Sequence, residues 1–332
     1  MYTIKSKHNK NVRNYLKKED SMYKYLYIYN YSPHEQDLCE MEFRQIFHEP
    51  MKSKYYFSNQ DFDYTRSVYI RGKLNILYSS NHIEDIVFSL EQDQLCYYEF
   101  KVIYLKNEIT SMNYNESLEC CKKLALPIAG SVNMQNPKVV FAVTKIHDLW
   151  YFGIYEDTMI WNLRMNKPHS YSHSLNTRDA RTIVNIAVGN DLNKKVVDPC
   201  CGIGTVVLEA LSMSIDIHGF DINRYVSYQA RLNLEHFGYD PLLIQKRDMC
   251  TLEEVYDVVI MDIPYGVYSP FTYQQQLELL KAAKRLAPRL LLVSHISMNQ
   301  ELIDLGYQII DQATIIKGNF QRFMTLCEEV KK

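Results

Sequence analysis

The sequence predicts an α/β protein. A mostly parallel, doubly wound sheet with a C-terminal antiparallel strand pair follows a smaller α+β unit of ferredoxin-like build. Three observations carry this expectation. From residue 194 onward, short apolar strands alternate with helical patterns, the order that builds a parallel sheet. A Gly-x-Gly turn, Gly202 and Gly204, follows the first of those strands and opens a helix. Acidic residues Asp198, Asp221, Asp248 and Asp262 fall at strand ends, where open α/β sheets bind ligands.

Length and composition bound the rest. A chain of 332 residues predicts about two domains. We expect a basic arm over 1–22, a first region over 23–165 and a second over 166–332. Hydrophobic residues make up 47% and charged residues 23%, the balance of a soluble globular protein. No apolar run approaches the roughly 18 residues of a membrane span, and the N-terminus lacks the apolar stretch of a secretory signal. The 8 cysteines include the adjacent pairs Cys120-Cys121 and Cys200-Cys201. They show no CxxC spacing and no Cys/His cluster, so neither a metal site nor a disulfide framework is expected, and a reducing cytoplasm is. The net charge of −2 excludes no partner. Residues 1–24 carry Lys5, Lys7, Lys10, Arg13, Lys17, Lys18 and Lys24 against only Glu19 and Asp20. Such an arm either contacts phosphates or is a solvated tail. The 27 tyrosines concentrate in the first half. They suit strands, where aromatics are favoured, and surface tyrosines can stack on bases.

Taken in order, Tyr23–Tyr31 alternates as a strand does, and Pro33 ends it. Leu38, Met41, Phe43 and Phe47 recur near helical spacing, which predicts an amphipathic helix over 34–47 with Ser32 or Pro33 at its start. Short strands are expected at Tyr55–Phe57 and Ser67–Ile70, a helix at Ile83–Leu90 and a strand at Cys96–Leu105. That order is the basis of the ferredoxin-like expectation. A helix over Asn115–Leu124 precedes a hairpin of Val139–Lys145 and Leu149–Tyr155 turning at His147-Asp148. Residues 167–171 read as a linker. The helix RDARTIVNIAV shows one apolar face (Ile183, Ile186, Ala187), with Asn176 or Thr177 as cap and Gly189 as stop. Strands then follow at Lys194–Asp198, Ile215–Asp221, Leu242–Asp248, Asp257–Asp262 and Arg289–His295. Helices are expected at Thr205–Met213, Asn223–Phe237 and Tyr273–Leu286. The antiparallel pair is Tyr307–Ile316 with Phe320–Cys327.

The glycine turn limits the chemistry. Gly202 and Gly204 let backbone approach a ligand where a Cβ would collide. A dinucleotide turn would place glycine at position 207, which is Val207, and there is no Gly-Lys-Ser/Thr triphosphate loop. Asp-Pro-Cys-Cys-Gly-Ile-Gly-Thr (198–205), with Glu209 four residues on, resembles the S-adenosylmethionine (SAM) loop of amino-group methyltransferases. The resemblance implies a Rossmann-like class I methyltransferase fold, with Asp198, Cys200, Gly202, Gly204 and Thr205 around the methionine part of the cofactor. It implies that Asp221 takes the ribose hydroxyls with Ile222 beside it; Asp221 is otherwise a helix cap. Asp248 either reaches the adenine amino group, with Met249 against the ring, or is a plain loop aspartate. The segment before helix 178–188 folds over the cofactor's methionine end in such proteins, which brings in Ser172 and Ser174. His173 either touches ligand or is a surface or cap residue.

Asp262-Ile263-Pro264-Tyr265-Gly266 resembles the Asp-Pro-Pro-Tyr-Gly clamp of that class, with Ile263 where the family has Pro. A conjugated amine is a poor nucleophile because its lone pair is delocalised. Acceptors on both N–H groups, the Asp262 carboxylate and the Ile263 carbonyl, turn that lone pair toward a methyl donor. Tyr265 would stack on the target base for about 1–3 kcal/mol. Upstream, V-N-M-x-N-P-K-V-V-F-A-V, W-Y-F-G-I and R-M-N-K-P resemble, in order and pattern, the THUMP-type RNA-binding region of tRNA methyltransferases. Together these resemblances imply a SAM-dependent methyltransferase acting on guanine N2 in tRNA. The clamp also suits adenine N6 in DNA or RNA, or a protein glutamine amide. A non-enzymatic alternative is an RNA-binding module that only holds cofactor.

Overall fold

Strand-rich and strand–helix segments settle into two seven-stranded sheets, one in each of two units. The computed structural model describes residues 22–157, 166–170, 175–264, 271–317 and 320–330. The basic arm lies outside them except for Met22.

The first unit is 55–64 and 71–158 together with the chain up to Tyr29. It contains β1 (Tyr25–Tyr29), after which α1 (Gln36–Phe47) leaves for the other unit, then β2 (Tyr55–Ser58) and β3 (Ile70–Ser80). There follow α2 (Ile83–Asp93), β4 (Cys96–Tyr104), α3 (Tyr114–Ala125), β5 (Ala129–Val132), β6 (Val139–Ile146) and β7 (Leu149–Glu156). Strand order is β2-β1-β3-β7-β6-β4-β5. Helices α2 and α3 bury Ile83, Ile86, Leu90 and Leu124 in one cluster with Phe100, Phe141 and Phe152 of the sheet. Phe141 and Phe152 stack at 5.4 Å between centroids, a contact worth about 1 kcal/mol beyond its burial. Leu26, Ile28, Leu74, Ala142 and Tyr155 form a second cluster. Tyrosine goes largely into this packing: Tyr27 is fully buried and its hydroxyl donates to the Gln60 carbonyl at 2.8 Å.

From β1 to β4 the elements run in the expected order of strand, helix, strand, strand, helix, strand, but the first helix joins the other unit. The helix over 36–47 is present, but it packs with the second unit, so no helix separates β1 from β2 within the first. Its stripe residues Leu38 and Met41 lie in the core of the second unit with Ile183, Ile186 and Ala187. Periodicity shows that a helix has an apolar face but does not show what covers it. Residues 65–70, which include the expected strand Ser67–Ile70, also belong to the second unit, and the observed strand begins at Ile70 and runs eleven residues.

The second unit is 30–54, 65–70 and 159–332. It continues with α4 (Thr177–Val188), β8 (Val196–Asp198), α5 (Thr205–Ser212), β9 (Ile217–Asp221), α6 (Arg224–His236) and β10 (Ile244–Lys246). Then come β11 (Val258–Asp262), α7 (Tyr273–Leu286), β12 (Arg289–Ser294), α8 (Asn299–Asp304), β13 (Tyr307–Lys317) and β14 (Phe320–Glu329). The order is β10-β9-β8-β11-β12-β14-β13. Neighbours from β10 to β12 are parallel, and β14 is antiparallel to both β12 and β13. This is the mostly parallel, doubly wound arrangement expected, with its C-terminal antiparallel strand pair. The central strands are apolar on both faces because helices cover both: Val196, Val258, Ile260 and Leu291 face one cluster, and Val197, Val259, Met261 and Leu292 the other. Asn176 caps α4 by accepting from the Asp179 N–H at 2.8 Å, as its sequence position predicts. Helix α8 carried no sequence expectation; at six residues it is too short for a periodic signal.

Candidate active site

The turn after β8 is built by two glycines with different tasks. Both hold positive φ, +54° at Gly202 and +78° at Gly204, where an L side chain is strained. A Cβ on Gly204 would lie 2.8 Å from Ile244 Cδ1 and 3.3 Å from Ala230 Cβ, so its missing side chain lets the turn seat on α6 and β10. A Cβ on Gly202 would meet nothing within 4 Å. Gly202 therefore borders open space. Its N–H donates to Asp221 Oδ2 at 3.0 Å, which ties the turn to the end of β9. Val207, the departure from the dinucleotide pattern, also has a physical basis. A Cβ at Gly219 on β9 would stand 2.8 Å from Val207 Cγ2, so the small residue that permits close helix–strand packing is on the strand, not the helix.

These two glycines give a discriminating prediction. Gly204→Ala is expected to lower the melting temperature most, because it adds overlap with Ile244 to a backbone strain of about 1–2 kcal/mol. Gly202→Ala is expected to carry only the strain, and to lose more affinity for S-adenosylhomocysteine than Gly204→Ala does. Thermal melts beside calorimetric titrations of the two proteins check this; the reverse ranking would remove Gly202 from the ligand surface.

The strand-end acids converge on this turn. Asp198 is 3% exposed and its Oδ1 accepts the Cys200 N–H at 3.3 Å. Burial pushes its carboxyl well above the usual range; that hydrogen bond opposes the shift, and the neighbouring charges of Asp262 and Asp221 add to it. Asp221 accepts backbone N–H groups on both oxygens, from Asn223 at 2.7 Å and Gly202 at 3.0 Å. Burial raises its pKa against these bonds. The cap of α6 is Asn223, which accepts from Tyr225 and Val226, so Asp221 is not that cap. A carboxylate has about four acceptor positions, which leaves Asp221 capacity for ligand hydroxyls. Ile222 beside it is 67% exposed. Asp248 caps a short 3-10 turn through the Cys250 N–H at 2.9 Å. Met249 is buried, and Cys200 Sγ lies 3.6 Å from its sulfur.

Two parts of the expected loop motif have protein partners. Thr205 is 4% exposed, and its hydroxyl accepts from Lys167 Nζ at 2.7 Å. Burial pulls the Lys167 ammonium down to about 8, partly offset by Glu209. Glu209 itself is paired in the core with Arg181. Of the expected linker 167–171, the described residues 167–170 are fastened to the turn. The Asn233 side chain accepts from the His169 N–H at 2.9 Å and donates to the His169 carbonyl and to the Ile203 carbonyl, both at 3.0 Å. Sequence reading missed the contacts of Lys167 and Asn233 with the turn: Lys167 was read within the R-M-N-K-P run and the linker, and Asn233 sits in no motif.

Asp262 closes β11. Its Oδ2 lies 3.9 Å from an Arg322 guanidinium nitrogen, and its buried Oδ1 has no hydrogen-bond partner among the described residues. Burial pushes its pKa up to about 6, with Arg322 opposing. Ile263 is buried and its N–H donates to the Val293 carbonyl at 3.0 Å, which continues the β11–β12 ladder past the strand end. The Pro264 carbonyl accepts from Gln276 Nε2 of α7 at 3.0 Å. Gln276 and Arg322 were also missed by the sequence reading; they lie 12 and 60 residues along the chain from Pro264 and Asp262, the clamp residues they contact, and carry no local signal. Tyr265, Ser172, Ser174 and His173 lie outside the described residues. Asp198, Asp221 and Asp262 thus gather at the C-terminal ends of adjacent strands, next to a glycine turn bordering open space. That setting favours a ligand with positive charge, amine or hydroxyl donors. Among the described residues no group of three or more His, Cys, Asp or Glu is placed to hold a metal ion, and no helix is long and apolar enough to cross a membrane.

Residues 164–285 match a family described as UPF0020, RMKL-like, methyltransferase domain. Over 104 residues the chain is 32% identical to a tRNA (guanine(10)-N2)-dimethyltransferase of Methanothermobacter thermautotrophicus. Over 105 residues it is 28% identical to the protein of the same name from Pyrococcus abyssi. Each alignment covers 30% of this chain, and 30% and 31% of those relatives respectively. The chain therefore matches about a third of the length of each. The crystal structure of TrmN from Thermus thermophilus is 14% identical, with a TM-score of 0.47 over 92% of this chain and 99% of that one.

Proposed function

We propose that this chain is a SAM-dependent N-methyltransferase that acts on the exocyclic N2 of a guanosine in tRNA, in the cytoplasm. The observation that carries the reading is Asp262: a buried carboxylate oxygen without a partner among the described residues, at the end of a strand beside the glycine turn. An unsatisfied buried acceptor is costly and is retained where a ligand completes it. The activity that names the relatives, guanine-N2 dimethylation of tRNA, favours an amine as that ligand.

The cofactor side fits the residues present. Gly202 offers backbone with no side chain in the way, Asp221 keeps acceptor capacity for ribose hydroxyls, and Asp198 faces the amine of the methionine part. Cys200, Gly204, Thr205, Ile222, Asp248 and Met249 line or brace that cradle, and Ser172 and Ser174 are assigned to it on the resemblance. When bound, SAM supplies an electrophilic sulfonium methyl. On the acceptor side, Asp262 Oδ1 takes one amine hydrogen and the Ile263 carbonyl the other, which localises the nitrogen lone pair. The Asp262 carboxylate then holds the proton the amine gives up. Gln276 fixes the Pro264 carbonyl and so steadies the clamp loop. Tyr265 stacks on the base. The first unit, with its THUMP-like motifs, and the basic arm grip the RNA and present one nucleotide outside its stack.

Incubating the protein with methyl-labelled SAM and bulk tRNA, then digesting to nucleosides, is expected to yield labelled N2-methylguanosine. Label only in N6-methyladenosine would move the target to adenine. No labelled nucleoside from any RNA, under conditions where the protein binds S-adenosylhomocysteine, would overturn the reading.

A further inference from the structure

We propose that Arg322 is a positioning residue for Asp262: its guanidinium holds Oδ2 and leaves Oδ1 as the oxygen that receives the substrate amine. The inference rests on the reading of Asp262 as acceptor, and it adds which oxygen acts and what orients it.

The topology brings the pair together. In the sheet, Asp262 pairs with Val293 of β12, and Val293 pairs with Met324 of β14. Arg322 is two residues from Met324, so it shares the same face of the strand. Because β14 runs antiparallel, its first residues lie at the C-terminal ends of the parallel strands, where the acids gather. Arg322 is 7% exposed, so its charge is carried in a largely desolvated setting. A guanidinium placed there needs a counter-charge. Asp262 Oδ2 lies within ion-pair distance of it, at 3.9 Å. The two oxygens of Asp262 are therefore unequal: one faces a fixed cation, the other has no donor among the described residues.

Other charged groups bear on the same carboxylate. Asp198, at the end of β8, is near enough for the Asp262 charge to add to the rise of its own carboxyl. His295, just after β12, bonds the Gln321 carbonyl through Nδ1 at 3.0 Å, and both burial and Arg322 hold it toward the neutral form. From α7, Gln276 reaches the loop after Asp262 but is uncharged. Arg322 is thus the cation that offsets the burial of Asp262.

The test uses the full-length protein with Arg322→Gln and Arg322→Lys. The pKa of Asp262 is read by carboxyl-carbon NMR, assigned by its loss in Asp262→Ala, and methyl transfer to tRNA is followed against pH. Removing a cation at this distance is expected to raise the Asp262 pKa by about one unit or more in Arg322→Gln. The acid limb of the rate profile should move up by the same amount, and affinity for S-adenosylhomocysteine should be unchanged. Arg322→Lys restores the charge without the planar fork. It should return the pKa toward its original value while turnover recovers only in part. An unmoved NMR pKa overturns the role of Arg322 and leaves Asp262 as acceptor intact. A moved pKa with an unmoved rate profile overturns the proposal from the other side, because Asp262 would then not be the acceptor.

Discussion

Asp262→Ala is expected to abolish methyl transfer while leaving the fold and the affinity for S-adenosylhomocysteine intact. Loss of one oriented group at a developing charge costs about 10²–10³ in turnover in comparable sites, and the alanine also removes the acceptor that aims the amine. Cofactor affinity is expected to stay because the glycine turn is held by hydrogen bonds to Asp221 and Asp198, not to Asp262. RNA binding should persist for the same reason. The unaltered protein carries a matching pH signature. The Asp262 carboxyl is pushed up to about 6. A protonated acid donates a hydrogen bond where the mechanism needs one accepted, so the rate should fall as pH drops through 6 and level off above it. The stability linkage has the opposite sense. A carboxyl whose folded pKa lies above its unfolded value binds protons preferentially in the folded state between the two values, so its contribution favours folding more as pH falls from 6 toward 4. Activity and stability are therefore expected to respond oppositely across that window. The measurements are single-turnover transfer with labelled SAM, calorimetry with S-adenosylhomocysteine, and thermal melts between pH 5 and pH 8. Retained transfer in Asp262→Ala would dismiss the clamp.

The parts of the site made by consecutive residues were legible in the sequence. The glycine turn, the acids at strand ends and the Asp262-Ile263-Pro264 run each occupy a few adjacent positions where backbone geometry dictates residue type. The strand–helix alternation was equally legible, since each period of two or 3.6 is a local property. What escaped was assembled across the chain. Asn233 sits on α6 and binds residues 166–170; Gln276 sits on α7 and binds the clamp loop; Arg322 arrives on the last strand. In sequence each is one polar residue among many in an amphipathic element. The unit that α1 joins escaped on the same ground, because α1 has the apolar face it was assigned but buries it against α4 and β13 of the second unit. The helix over 178–188 was read as having one apolar face, yet Thr182, Asn185 and Arg181 are buried as well as Ile183 and Ile186.

That second, polar face of α4 supports the other large prediction. Arg181 is 1% exposed and donates to Glu209 Oε2 at 2.9 Å, Ser212 Oγ at 2.8 Å and the Thr65 carbonyl at 2.8 Å. One turn on, Asn185 Nδ2 donates to Glu42 Oε1 at 2.8 Å and to the Arg66 carbonyl at 2.9 Å. Glu42, fully buried on α1, also accepts from Ser67 Oγ at 2.5 Å. Burial pushes the Glu42 carboxyl up to about 7, with Arg66 and Arg181 among the groups that oppose the shift. These bonds join α1, residues 65–67, α4 and α5 of the second unit through a seam with almost no contact with water. Arg181→Met keeps much of the side-chain volume but withdraws the cation that balances Glu209 and counters Glu42. Breaking a buried pair from one side costs about 3–5 kcal/mol, which in a unit of this size is roughly a 10 °C fall in melting temperature. The double variant Arg181→Met with Glu209→Leu removes both charges, and buried pairs replaced in this way are often neutral or better. It is expected to regain most of the loss. Calorimetric melts of the two single variants and the double test this directly. A single variant as stable as the parent would show that the seam contributes no net stability. A double variant no better than Arg181→Met would show that the loss comes from packing and the Thr65 and Ser212 bonds rather than from stranded charge.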